Sequence, residues 1–409
     1  MPSRTGWALA ALTGAFAMSQ FFRSCLAVMA PELSRDLALD PAGFGALSSA
    51  FFLSFALMQL PVGVAFDQWG VGRPTSVLLA VGVLGSLLFA LAPGGGWAVL
   101  GQVGLGAACA PVFMGLIHHA SSRLDERTYL RSLAVSNSLG MVGVLIAASP
   151  LGWVVQHFGW RPAMLAATGC MAAACVAVRR TVHDAGHADA HGQSSWALLR
   201  GASVLLKVPA LWALVPVCLG MAAGTSFRNA WGGPYVADVF GLDPVSRGTA
   251  ITAISLVAFG CAFVLPLLAR RFGAPAVIVG TMCTCTVAGV LLTLAPDVSL
   301  AVDVGLLAIL AAAGTLHPIV MTAGRNVVAP ALRGRALGVL NTFVFMGMAA
   351  ASAGYGWLAR WGLRQGRDAG AVYGTLFGVA VVALLLGLLP YAVRRLRRDP
   401  RQAGPSARS

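Results

Sequence analysis

Charge is what this chain of 409 residues lacks. Asp, Glu, Lys and Arg together make up 10% of it, against 58% hydrophobic residues, and the mean hydropathy is +0.79. A soluble domain carries about 25% charged residues, so this chain cannot cover a water-facing surface of its length, and lipid must be its solvent. Lysine is almost missing: Lys207 is the only one among 28 basic residues. With the abundant alanine, this fits a GC-rich bacterial coding sequence. Acidic residues number 14 and fall in loops or at expected helix ends. No carboxylate pair and no nucleophile–base pair lies within an apolar segment, which excludes the usual constellations of a membrane enzyme. A P-loop is also missing, so ATP does not drive whatever the chain does. The eight cysteines all sit in apolar runs, as expected of buried thiols and not of a disulfide framework. Cys283 and Cys285, two apart on a helix, point away from each other and make no metal pair. No metal and no cofactor is implied.

What is present is a series of apolar runs of about 20 residues, the length that crosses a bilayer as a helix. Twelve are expected: Trp7–Ala30, Gly43–Phe66, Thr75–Ala92, Trp97–Ala120, Leu130–Gln156, Pro162–Val178, Val208–Gly233, Arg247–Ala269, Ala274–Ala295, Ser299–Ala323, Ala336–Ala359 and Ala371–Val393. The first is no signal peptide: it is too long, has no small-residue cleavage site and continues into Arg23 and Pro31. The fold class expected is all-α integral membrane, in two six-helix bundles. The first occupies residues 1–180 and the second 208–393, with a cytoplasmic linker at 181–207 and a basic cytoplasmic tail at 394–409.

The net charge of +14 would raise nucleic-acid binding in a soluble protein. Here its distribution points elsewhere. With both termini inside, 20 of the 28 basic residues fall in inner segments and six in outer ones. That bias places both termini in the cytoplasm of a bacterium whose inner membrane holds the chain, and no nucleic-acid partner is expected. The linker carries His183, His187 and His191, whose spacing would share a helix face. Its Gly, Asp and Ser content favours a plain linker over a metal site.

The two halves repeat one pattern. Arg23 and Arg228 are offset by 205, each following a phenylalanine and preceding a proline, Pro31 or Pro234. Asn137 and Asn341 are offset by 204, each between an inner arginine and a tryptophan. Val64–Gly70 matches Leu267–Gly273 at 203, both ending in an aromatic residue and glycine. Repeats of this kind place a solute site near the midplane, between the halves.

The loop after the second run reads Gly63-Val64-Ala65-Phe66-Asp67-Gln68-Trp69-Gly70-Val71-Gly72-Arg73. It resembles the G-x-x-x-D-R-x-G-R-R signature of the major facilitator superfamily. The resemblance covers nearly the whole chain and implies a secondary transporter working by alternating access. By that resemblance Asp67 and Arg73, with Gly63 and Gly70 of the same motif, shape the cytoplasmic gate. Gln68 stands where the family usually has arginine, and the second copy has Arg270 opposite Asp67, so the gate is asymmetric. Gly101–Gly106 is similar to the family's R-x-x-x-G-x-G motif, with Leu100 at the arginine position. That departure argues against the proton coupling in which this arginine takes part in many members. Ser149-Pro150-Leu151-Gly152 resembles the G-P-x-x-G motif of exporters only loosely.

Charges inside the apolar runs carry the most information, because burying one in lipid costs about 2.5–3.5 kcal/mol on insertion scales. Arg23 and Arg228 are the two in this chain, so the buried field is positive and suits an anion. Arginine binds carboxylate and phosphate through two parallel bonds. The pair resembles the first- and seventh-span arginines of the organophosphate:phosphate antiporters, and anion:cation symporters use related residues. The expected partner is therefore a small organic or phosphorylated anion, bound by a chain acting as a monomer among membrane lipids. Gln20, one turn from Arg23, and Trp231, near Arg228, are candidate contacts, with Asn137, Asn341 and His317. Snorkelling of the arginines toward the outer interface is the bland alternative. Export of drugs or uncharged metabolites is a second reading. A non-transporting sensor is a third, and it leads one to expect a large added signalling domain.

Overall fold

The computed structural model describes residues 4–183, 208–329 and 332–396. The expected linker, apart from its first residues, and most of the basic tail lie outside these, as do His187 and His191. Among the described residues every regular element is helical, and twelve helical units follow one another. They are α1 (Arg4–Asp36), α2 (Pro41–Trp69), α3 (Gly72–Ala90), α4 (Gly95–Ser121), α5 (Glu126–Phe158) and α6 (Trp160–Thr181) in the first half. In the second half they are α7 (Pro209–Phe240), α8 (Pro244–Phe272), α9 (Ala274–Leu294), α10 (Leu300–Asn326), α11 (Arg333–Arg364) and α12 (Ala369–Leu396). Eleven are long and apolar enough to cross a membrane on length and composition alone. The exception is α1. Its 33 residues exceed the span needed, but Arg23, Gln20 and several serines dilute its apolar character.

Three of the helices break from the regular α pattern, two of them at or beside a candidate residue. α5 bends where Ala147 and Ala148 leave helical geometry before Pro150. α7 contains a π turn at Phe227–Trp231, which carries Arg228. α10 tightens into a 3₁₀ turn over Ala312–Leu316, just before Pro318. Such turns recur at functional sites.

α1 was expected to stop near Ala30 but runs on through Pro31 to Asp36. Proline withholds one helical N–H, from the carbonyl four residues back, Ala27. That freed carbonyl is the one against which the backbone of Gly233 on α7 packs so closely that a Cβ would overlap it. The neighbouring Val28 carbonyl accepts a bond from Arg247 Nε at 3.1 Å. The interruption of the helix is thus filled by the other half.

The halves close on each other at one end through two equivalent crossings. Where α2 meets α11, a Cβ on Gly45 would lie 2.6 Å from Ser352 O, and one on Gly356 would lie 2.5 Å from Pro41 O. Where α5 meets α8, Gly248 is held as tightly by Ala148 O, and Gly152 by Pro244 O. Ser48 donates to Ser352 at 3.2 Å in the first crossing, and Ser149 and Thr252 bond at 2.7 Å in the second. Gly45 and Gly248, like Gly152 and Gly356, hold matching places in the two copies, so the pseudo-two-fold read from arginines and asparagines reaches the backbone contacts. The helix starts repeat as well. Asp40 caps α2 through Gly43 N–H, and Asp243 caps α8 through Ser246 N–H. These backbone bonds hold both carboxyls below the usual carboxylate range.

Arg247, expected at an outer loop boundary, is instead buried in the first turn of α8 and 2% exposed. It pairs with Glu32 of α1 at 2.5 Å and donates to Leu242 O as well as Val28 O. A weaker pair, Arg360–Asp40 at 3.4 Å, joins the halves at the same end. The cysteines also differ in part from expectation. Cys25, Cys109, Cys218 and Cys285 are buried, whereas Cys170 and Cys283 are exposed on outward-facing helix surfaces.

Removing one partner of a buried ion pair strands the other. Arg247→Met is therefore expected to cost about 2 kcal/mol or more, while Glu32→Gln/Arg247→Met recovers part of the loss. Thermal melting of the purified protein in detergent checks both. Asp40→Asn and Asp243→Asn keep a cap without a charge. The folded chain favours the ionised caps, so their stabilisation is full at neutral pH and fades as pH falls through the carboxylate range. The asparagine variants are expected to melt with less acid sensitivity than the parent.

Candidate functional site

Between the halves, beyond the closed end, α2 and α11 face each other with matched side chains. Phe55 and Gln59 lie four apart on α2, and Phe345 and Asn341 lie four apart on α11, so each pair shares one face of its helix. The aromatic members pack with centroids 4.0 Å apart and ring planes tilted by 38°. The amide members bond at 2.8 Å, Asn341 Nδ2 donating to Gln59 Oε1. The result is two rungs spanning the halves, one apolar and one polar.

Arg23 of α1 rests on the apolar rung. Its guanidinium carbon is 4.5 Å from the centroid of Phe55 and 4.9 Å from that of Phe345. The side chain therefore turns inward between the halves and does not snorkel to an interface. Its Nε has no hydrogen-bond partner. Arg228 of α7 is half-buried and, among the described residues, bonds only to the neighbouring Asn229 Oδ1, at 3.4 Å. Neither arginine meets a carboxylate among the described residues, where the ion pairs are Arg247–Glu32 and Arg360–Asp40. Arg23 lies within electrostatic reach of both Arg228 and His317. Positive charge thus gathers at this level with no acidic side chain to balance it.

His317 of α10 holds the polar rung. Its Nε2 is 2.9 Å from Asn341 Oδ1. Because Asn341 spends its amide N–H on Gln59, its oxygen is left to accept, and His317 Nε2 donates. His317 thus bonds to a side chain of another helix and not to a backbone group of its own.

The other expected contacts disperse. Gln20 turns toward α5, its Nε2 3.9 Å from Met141 Sδ. Trp231 is 2% exposed and packs edge-on against Phe44 of α2 and Tyr355 of α11, one turn beyond Arg228 toward the closed end. Asn137 is exposed and joins no hydrogen bond among the described residues, unlike its sequence partner Asn341. Gln59 is a member of the network that sequence reasoning missed; an uncharged amide in a long apolar run was the available signal. Asp67 and Arg73 lie exposed at the α2–α3 turn, at the other end of the molecule. Gly70 closes α2 there with φ of +75°, a conformation that favours glycine, and Gly273 repeats it at +83°. Gly63 has open space around it, so packing gives no reason for a glycine. Gly101 and Gly104 of the α4 motif pack against Gly85 of α3, a structural use.

Two six-helix halves closed at one end around a basic interior define a polytopic membrane protein of the carrier type. Residues 12–352 match the model of the Major Facilitator Superfamily, and the chain belongs to that family. Its members move solutes and do not transform them, so the chain is not an enzyme. It is 26% identical over 144 residues to the probable galactarate/D-glucarate transporter GudP of Escherichia coli, covering 34% of this chain and 32% of that protein. It is 24% identical over 279 residues to the membrane sensor protein UhpC of Escherichia coli, covering 60% of each. The matches thus span between about a third and three-fifths of these relatives. Among solved structures, a bacterial homologue of the lysosomal transporter Spinster, inward-facing and unoccupied, aligns with a TM-score of 0.77. It covers 96% of this chain and 97% of that one at 16% identity, a likeness of fold.

Asn341→Leu is expected to strand buried polar groups on both His317 and Gln59, at about 1–3 kcal/mol. Gln59→Leu/Asn341→Leu should cost less than the sum of the single changes, since the pair shares one bond. Denaturation of the four proteins completes the cycle.

Proposed function

We propose that the chain is a secondary transporter that carries a small organic anion, a sugar-acid carboxylate or a phosphate ester, by alternating access. One observation carries this reading: Arg23 and Arg228, at matching places in the two halves, are gathered within electrostatic reach and have no carboxylate partner of their own among the described residues. An anion with two charged ends suits two guanidinium groups on opposite halves, and each bidentate contact is charge-assisted. The similarity to a probable galactarate/D-glucarate transporter supports a dianionic sugar acid. Asn341, Gln59 and His317 offer donors and acceptors beside the arginines for hydroxyl groups. Gln20, Asn137 and Trp231 line the approach or the closed end.

The basic-residue bias puts the α2–α3 turn and both termini in the cytoplasm. On that orientation the closed crossings face outward, the arrangement expected of an inward-facing state. Asp67, Arg73, Gly63 and Gly70 then act at the inner gate, which forms when the outer crossings part. One relative is a membrane sensor protein, which favours a second reading in which the anion is bound and reported without being moved.

Purified protein in proteoliposomes is to be offered labelled D-glucarate and glucose 6-phosphate. Saturable uptake of either is expected. Arg23→Lys or Arg228→Lys should lower it by about tenfold or more, since lysine cannot reproduce the bidentate contact. Undiminished uptake in the double lysine variant would sink the clamp. Binding seen by thermal shift with no uptake would move the reading to the sensor.

A further inference from the structure

A second buried ionisable group lies outside the basic site. Asp303, in the first turn of α10, is 0% exposed. Its side chain is enclosed by the second half. Among the described residues its Oδ1 makes no close hydrogen bond, the Val298 N–H approaches the carboxyl, and its Oδ2 lies 3.0 Å from the hydroxyl of Tyr235 on α7. Tyr235 is also 0% exposed, and the same hydroxyl lies 2.5 Å from the carbonyl of Pro296.

The hydrogen atoms can be counted. A tyrosine hydroxyl owns one proton, and a backbone carbonyl can only accept. The short bond to Pro296 O therefore takes the Tyr235 proton. The hydrogen between Tyr235 Oη and Asp303 Oδ2 has to come from Asp303. An ionised Asp303 would leave two oxygens facing each other across 3.0 Å and a full negative charge enclosed with no cation beside it, an arrangement costing several kcal/mol.

We propose that Asp303 is a proton-binding site of this chain, held as the neutral acid and donating to Tyr235. A cavity of about 610 Å³ at the same end is lined by Pro296, whose carbonyl holds Tyr235, and by Asp297 and Asp368, while Tyr235 and Asp303 stay behind its wall. The groups facing the site are few. α7 supplies Tyr235 and Asp238, the α9–α10 loop Asp297, the α11–α12 loop Asp368, and α12 Tyr373, whose hydroxyl donates to Asp238 at 2.7 Å. Arg247 of α8 acts on Asp238.

The site is wired to the helix that carries Arg228. The Tyr235 ring meets Phe377 of α12 edge-on at 5.1 Å, and Phe377 stacks on Phe227 at 4.7 Å, the residue before Arg228. Losing the proton would replace the Asp303–Tyr235 bond by repulsion and push on α7 two turns from Arg228. Proton binding here stands independently of what the arginines hold.

Infrared spectra of the purified protein test this without any solute. The wild type at neutral pH is expected to show the carbonyl stretch of a protonated carboxylic acid, moving to lower frequency in D₂O. Asp303→Asn should abolish the band. Tyr235→Phe, which keeps the acid but removes its acceptor, should shift it upward. A wild type without the band, or a band unchanged in both Asp303→Asn and Tyr235→Phe, would overturn the proposal.

Discussion

Backbone against backbone is the contact on which this molecule turns. At the two crossings, α2 on α11 and α5 on α8, glycines let main chains approach to distances at which no side chain fits. In lipid there is little hydrophobic force between helices, and association rests on such close packing and on bonds like Ser48–Ser352 and Ser149–Thr252. Both crossings lie toward one end. The polar residues of the interior are consequently gathered beyond a sealed end and not threaded through an open channel.

The same geometry explains where charge is tolerated. Arg247 and Glu32 pair inside the seal, where an unpartnered charge would be costly. Arg23 and Arg228 sit deeper between the halves, balanced by aromatic faces and amide oxygens and not by acids. Asp303 is kept within the second half beside Tyr235. Three environments thus hold three kinds of ionisable group apart, although their helices touch.

Much of this was legible in the sequence because lipid imposes strict rules. Run length marks a span, and a charge within a run stands out, so the helices and both interior arginines could be read directly. The repeat was visible at Arg23 and Arg228 and holds at the glycine crossings. Other features were not legible. Pro31 reads as a stop, yet α1 continues because α7 and α8 use the carbonyls it leaves exposed. Glu32 and Arg247 read as boundary charges, since nothing local signals a pair 215 residues apart. Gln59 carries no charge and follows no period. Asn137 and Asn341 look equivalent, but only Asn341 faces a histidine and a glutamine, so the symmetry of the scaffold does not extend to its lining.

The seat of Arg23 on two aromatic rings bears on how fast such a site can cycle. A cation over an aromatic face is held by about 0.5–2 kcal/mol, far less than a buried carboxylate would hold it. The rings come from opposite halves, so the arginine also bridges the two halves. Such a soft counterpart steadies the charge when nothing else neutralises it, yet surrenders it readily to a stronger claimant. On the function proposed above, turnover is then set by how tightly the anion is gripped and not by the effort of freeing Arg23.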